Sequence, residues 1–237
     1  MLVASGIQPH PGPTRFTESS PCVLNVINGG ALITHLEAFI QRPAHVLAIS
    51  EHSVPPDERG SVHDRLKEAN LSGTLSNLDP ELKHHTGGVA ALARHPAKVD
   101  VLSPRSDQMV APLSSGRVQM SALCIGYSSP LLAFIIYGWT GGRQSTQAAK
   151  RTDDIFIHII HELSLRPEGP VAIMGDLNAT LQQLPHCKQL IDDGAWCDVG
   201  AVASRWGGID NQPTCFGHNA LEPTRNDYFI VNSMASH

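Results

Sequence analysis

The sequence is poor in charge and has no long apolar run. Only 16% of its 237 residues are Asp, Glu, Lys or Arg. No stretch offers the roughly 20 consecutive apolar residues that a membrane-spanning helix needs. The amino terminus, Met1-Leu2-Val3-Ala4-Ser5, lacks the basic region and apolar core of a secretory signal. An intracellular protein, nuclear or cytoplasmic and without a membrane partner, is therefore expected. Lysine and arginine nowhere cluster, and the formal net charge is −5. Without a strongly basic face, tight salt-sensitive DNA binding by this domain alone is not indicated, whereas a phosphodiester substrate remains compatible with the composition. Paired cysteine spacing is missing too. Cys22, Cys124, Cys187, Cys197 and Cys215 form an odd, scattered set, which fits reduced thiols better than a disulfide framework. Cys187, Cys197, Cys215 and His218 lack the C-x-x-C spacing of structural zinc. No internal repeat is present.

What is there points to one α/β domain. Hydrophobic residues make up 41% of the chain and fall in short runs, while 20 glycines and 17 prolines imply many turns. Residues 1–21, with Pro9-His10-Pro11-Gly12-Pro13, read as a flexible leader, and residues 22–237 as the domain. Cys22 to Ile27 reads as a strand, Ala31 to Ile40 as a helix and His45 to Ile49 as a buried strand. A helix over Val62 to Leu71 follows. Strands are expected over Val89 to Ala93, Val99 to Leu102, Val118 to Ile125 and Leu131 to Tyr137, the last three closely spaced and antiparallel. Ser103 to Gly116 reads as a loop. Thr146 to Leu165 is the clearest helix, with Ile155, Phe156, Ile159, Ile160 and Leu163 on one face. Val171 to Met174 and Tyr228 to Val231 complete the strands. The pattern predicts a mixed β-sheet sandwich flanked by helices.

Polar residues just past the ends of buried strands carry the chemistry, because such strands release the chain at the rim where ligands of α/β folds bind. Glu51 follows one such strand, Asp176 and Asn178 follow another, and Asp227 opens the last. Mg²⁺ needs hard oxygen ligands, often only one or two carboxylates, with water and phosphate completing the shell. Glu51 and Asp176 supply carboxylates, and Asn178 can donate to a phosphate oxygen. These residue types suit metal-assisted phosphoester hydrolysis. Singly, each has a blander reading. Gly175-Asp176-Leu177-Asn178 fits a turn, Tyr137 fits the core, Arg225 and Asp227 fit a surface ion pair, and His84-His85 fit an exposed loop. Trp139 fits either core packing or stacking on a base.

Taken in order, Leu24-Asn25-Val26, Ala48-Ile49-Ser50-Glu51, Gly87-Gly88-Val89-Ala90, Ile135-Ile136-Tyr137, Gly175-Asp176-Leu177-Asn178 and Arg225-Asn226-Asp227-Tyr228 resemble the successive motifs of the endonuclease/exonuclease/phosphatase family. That family includes apurinic/apyrimidinic endonucleases, DNase I-like nucleases and the endonuclease domains of non-LTR retrotransposons. The resemblance implies a DNase I-like four-layer fold and Mg²⁺- or Mn²⁺-dependent hydrolysis of DNA. It further implies Glu51 as principal metal ligand with Asn25 beside it, and Tyr137 and Asn178 on the scissile phosphate. Asp176 would serve the attacking water or the leaving oxygen, and Asp227 would orient a histidine.

The chain departs from the pattern in places. Ser50 stands where Gln is usual and His52 where Thr is common. Asn28 competes with Asn25, and strand alternation lets only one of them face the site; Asn25 is the expected one. The family's Ser-Asp-His motif has no counterpart, since Ser236-His237 comes too soon after Asp227 and no Asp precedes the histidine. The domain is thus expected to lack its C-terminal strands and to leave an unpaired sheet edge. An inactive fragment of this fold, or an enzyme for a small phosphorylated substrate, is the alternative. Gly6 to Pro13 resembles the ending of ribosome-skipping peptides that precede some non-LTR retrotransposon reading frames, with Gly6, Gln8 and His10 departing from that pattern.

Overall fold

The computed structural model describes residues 24–30, 32–81, 86–125, 129–215 and 223–235. The leader over 1–21 with its skipping-peptide resemblance, Cys22, His84-His85, His218 and Ser236-His237 lie outside the described residues. The elements are β1 (Leu24–Asn28), α1 (Leu32–Ile40), β2 (Val46–Ser50), α2 (Arg59–Glu68), β3 (Leu71–Leu75), β4 (Val89–Arg94), β5 (Lys98–Val101), α3 (Val110–Ser114), β6 (Val118–Cys124), β7 (Leu131–Tyr137), α4 (Thr146–Ser164), β8 (Val171–Asp176), α5 (Pro185–Asp192), β9 (Trp196–Asp198) and β10 (Asp227–Asn232).

The strands form two sheets, ordered β1-β2-β4-β3 and β5-β6-β7-β8-β10-β9. Within them β1 with β2 and β7 with β8 are parallel, and the other pairs are antiparallel. The two sheets face each other. Leu24, Val26, Val46, Ala48, Val89 and Ala91 of the first pack against Ala133, Ile135, Ala172, Met174, Phe229 and Val231 of the second. The intervening residues turn outward onto helices. Leu47, Ile49, Ala90 and Leu92 meet Leu32, Leu36 and Phe39 of α1 and Val62 and Leu66 of α2. Val118, Phe134, Ile136 and Ile173 meet Ile155, Phe156 and Ile159 of α4 and Cys187 of α5. This makes four layers, helix–sheet–sheet–helix, and both faces of each central strand are covered, which is why those strands read as unbroken apolar runs. Burying side chains such as Phe134 and Phe156 completely stabilises the fold by about 1.5–3 kcal/mol each. No helix of the described residues is long and apolar enough to cross a membrane.

The structure corrects the sequence reading in several places. Ser103 to Gly116 is not all loop. The Ser106 hydroxyl accepts from the Gln108 N–H to start a 3-10 turn, and buried Met109 leads it into α3. Leu71 starts β3 instead of ending a helix, because Asn70 takes a left-handed conformation (φ 58°) that stops α2. The short elements β3, α5 and β9 were not expected. The start of α5 is capped from afar, by the Asp153 carboxylate of α4 accepting from the His186 and Cys187 N–H groups.

Candidate active site

Strand alternation brings the polar residues together. Leu24 and Val26 of β1 face the opposite sheet, so period two places Asn28 on that same face. The same parity carries Ser50 after Val46 and Ala48, Tyr137 after Ala133 and Ile135, and Asp176 after Ala172 and Met174. Asp227 precedes Phe229 and Val231 in like phase. Because β10 runs antiparallel to β8 with Asp227 opposite Asp176, all five residues meet at one end of the sandwich. They close the apolar slot between the sheets with a polar lid.

The Asn28 side-chain amide donates to Asp176 Oδ2 at 2.7 Å, and the Asn178 backbone N–H donates to Asp176 Oδ1 at 2.9 Å. The structure thus seats Asn28, and not Asn25, against Asp176. Asn25 lies on the opposite face of β1, in phase with Ile27, whose side chain joins the helix-covered core. The signal was in the sequence, because Asn28 and not Asn25 shares the parity of Leu24 and Val26.

Glu51, just past β2, lies near enough for its charge to act on both Asp176 and Tyr137. Burial pushes the Asp176 carboxyl up to about 6, the Asp227 charge adds to this, the two hydrogen bonds oppose it, and the Glu51 charge raises it further. Tyr137 is 3% exposed, and its hydroxyl lies 3.2 Å from Thr140 Oγ1. Burial lifts its pKa to about 12 against the Thr140 bond, and Glu51 reinforces the shift by charge and by hydrogen bond. The hydroxyl therefore keeps its proton. Asn178 sits at φ 52° and donates its side-chain N–H to the Gly138 carbonyl at 3.1 Å, which fixes its amide beside Asp176. Burial raises Asp227 as well, partly offset by a hydrogen bond to Thr214 and by Arg225. Its Oδ1 is buried without a hydrogen-bond partner among the described residues. Arg225 does not form the ion pair with Asp227 that the blander reading allowed; it makes a bidentate pair with Asp198, at 2.5 and 2.8 Å.

The backbone here is constrained. Glu51 at φ 59° and Ser53 at φ 49° hold left-handed conformations that cost a non-glycine residue energy. Gly175 has φ 138°, and a Cβ there would lie 2.0 Å from the Ile136 carbonyl oxygen. His52 is fully buried. Its Nδ1 accepts from the Val54 N–H and its Nε2 faces the Ser76 carbonyl, so it is neutral and structural, braced against Gly88.

Behind the site lies Arg117, 1% exposed. It pairs with buried Asp79 at 2.5 Å and donates to the Tyr137 and Gly138 carbonyls at 3.3 and 2.9 Å. Its guanidinium also lies 4.4 Å from the Trp139 ring centre, and that of Arg151 lies at 4.3 Å. Two guanidinium groups thus lie against the half-buried Trp139 ring, which packs against the core beneath α4. Sequence reasoning passed over Arg117, whose type carries no sign of burial.

Among the described residues no group of three or more His, Cys, Asp or Glu side chains closes around one point. A divalent ion of the Mg²⁺ kind does not require that, since it takes one or two carboxylates and completes its shell with water and phosphate. The residues present fit such an ion. Their donors are hard oxygens, the charges of Asp227 and Glu51 both raise Asp176, and Asp227 Oδ1 is buried without a hydrogen-bond partner among the described residues. Beside these groups a cleft of about 670 Å³ runs from Asn28 and Asp227 along Leu24 and Val26 to Phe39 of α1 and Phe229 of β10. It follows the outer side of β1, which among the described residues pairs only with β2 and forms a sheet edge.

No protein-family model and no curated protein matches the sequence. Solved structures do. An AP endonuclease from Leishmania major superposes with TM-score 0.67 at 15% identity, covering 97% of this chain and 86% of that one. An AP endonuclease from Archaeoglobus fulgidus gives 0.64 at 13% identity, covering 88% and 86%. A 3'-5' exonuclease from Neisseria meningitidis gives 0.64 at 14% identity, covering 90% and 88%. These likenesses show that the chain has the DNase I-like fold of endonuclease/exonuclease/phosphatase proteins, as the motif order implied.

Proposed function

We propose that the chain is a phosphodiesterase dependent on Mg²⁺ or Mn²⁺, acting on DNA as an endonuclease of the retroelement type. The observation that carries the reading is the meeting of Glu51, Asn28, Tyr137, Asp176 and Asp227 at one end of the sandwich, with Asn28 bonded to Asp176. The DNA-processing neighbours support the choice of substrate, and the order of motifs supports the retroelement type. Glu51 would be the principal ligand, with Asp176 and Asn28 beside it; the bound ion would supply Lewis acidity at the phosphoryl group. Tyr137, kept protonated, donates to a phosphate oxygen, and the remaining amide N–H of Asn178 donates to another. Asp176, raised into a range suited to proton transfer, takes the proton of the attacking water. Asp227 reinforces that basicity from the facing position on β10.

The test is nicking of supercoiled plasmid DNA with and without Mg²⁺. Nicking is expected to be weak, because among the described residues the carboxylate of Asp227 holds Thr214 and no histidine. Asp176→Ala is expected to abolish it. Robust cleavage that survives Asp176→Ala would overturn the assignment. A second reading, hydrolysis of a small phosphorylated substrate, is favoured by the net charge of −5 and the missing basic face. It predicts turnover of bis-p-nitrophenyl phosphate together with no nicking of plasmid at any salt concentration.

A further inference from the structure

We infer that Ser50 is a positioning residue that sets the spacing of the Glu51 and Asp176 carboxylates, an inference that rests on reading their site as a divalent-metal centre. Ser50 is fully buried, and it is the last residue of β2, one step before Glu51. Its hydroxyl donates to the Ile136 carbonyl at 2.9 Å and accepts from the Asp176 N–H at 3.0 Å. Ile136 pairs with Gly175, and Tyr137 with Asp176, in the parallel β7–β8 ladder. In that register the Ile136 carbonyl is the natural acceptor for the Asp176 N–H. The serine hydroxyl engages both of these groups at once.

This one atom therefore ties the end of β2 to the ends of β7 and β8 across the core. Its neighbours on the facing surfaces, Ala48, Ile135 and Met174, are apolar and pack without direction. The hydrogen bonds add direction. They hold the strand that carries Glu51 at a fixed height relative to the strand that carries Asp176. Gly175 lies against the same Ile136 carbonyl, too close for a Cβ, so the backbone of β8 stays tight beside the serine's acceptor. With the hydroxyl gone, the Ile136 carbonyl and the Asp176 N–H can pair directly within their own ladder. The cost in stability is then small, while the two carboxylates lose their common reference.

The experiment measures Mn²⁺ binding by isothermal titration calorimetry on the full chain, with thermal unfolding of each variant alongside. Ser50→Ala, still folding cooperatively, is expected to bind Mn²⁺ at least tenfold more weakly than the wild type. Ser50→Cys, which puts a poor acceptor in nearly the same volume, is expected to show the same direction of change. Ser50→Thr, which keeps the hydroxyl, should restore binding to within about threefold. Ser121→Ala removes another fully buried hydroxyl, one that accepts from Gln119 away from the site, and should bind as the wild type does. Equal Mn²⁺ affinity for the wild type and both Ser50→Ala and Ser50→Cys overturns the positioning role. Absence of binding by the wild type overturns the metal-centre reading itself.

Discussion

Replacing Arg117 by methionine tests how the back of the site is held. The side chain is 1% exposed, and Asp79 opposite it is 4% exposed, so neither charge is screened by water. Removing the guanidinium strands a buried carboxylate whose remaining donor among the described residues is the Glu81 N–H. It also takes a donor from the Tyr137 and Gly138 carbonyls and a cation from the Trp139 ring. Breaking a buried pair from one side costs about 3–5 kcal/mol, mostly from the charge left behind. For a domain of this size that corresponds to a melting temperature lower by roughly 6–20 °C. The assay is urea unfolding of Arg117→Met, Asp79→Leu and the double variant. If the stranded charge dominates, the double variant is no less stable than Arg117→Met, because the second change removes that charge. A loss below about 1 kcal/mol for Arg117→Met, or a double variant that costs the sum of the two singles, refutes the reasoning.

Gly175→Ala is expected to destabilise by about 2 kcal/mol or more in thermal unfolding, since φ 138° and a 2.0 Å approach to the Ile136 carbonyl leave a Cβ no room. Glu162 is fully buried, and burial raises its carboxyl, but hydrogen bonds from the Arg105 and Ser106 N–H groups and from Arg166 more than reverse this and hold it below 4.5. Its stabilisation is therefore complete above that value and is lost as pH falls through the lowered one. Glu162→Gln should cost about 1–3 kcal/mol in denaturant at pH 7, and the gap from wild type should narrow on acidification toward pH 3. Tyr137→Phe should lower the kcat of Mg²⁺-dependent cleavage by about 10²-fold with little change in stability, as expected for a lost donor to a charged transition state. A variant that cleaves as the wild type does would remove Tyr137 from the site.

Much of the fold could be read from the sequence because its inner strands are covered on both faces. Val46 to Ile49, Val89 to Ala93 and Leu131 to Tyr137 are unbroken apolar runs, and α4 carries Ile155, Phe156 and Ile159 at helical spacing. The shorter edge elements escaped notice. The burial of β3 is uneven, and its sequence contains Gly73. The cap of α5 comes from a residue 33 positions away. The site was legible in part. Glu51 and Asp176 could be named from their places at the ends of buried strands, but choosing Asn28 over Asn25 required reading the phase of β1. Ser50 and Arg117 act through partners 86 and 38 positions distant, which no local pattern reveals.

The outer flank of β1 has a consequence for handling the protein. Among the described residues the strand has a neighbour on one side only, and its other edge, a row of backbone groups, runs along the cleft beside Phe39 and Phe229. Such a row is a template on which a second polypeptide can extend the sheet. The state of the molecule in solution should accordingly depend on its concentration. A lysine or proline introduced on that flank, away from Asn28, is the natural way to keep purified samples monodisperse.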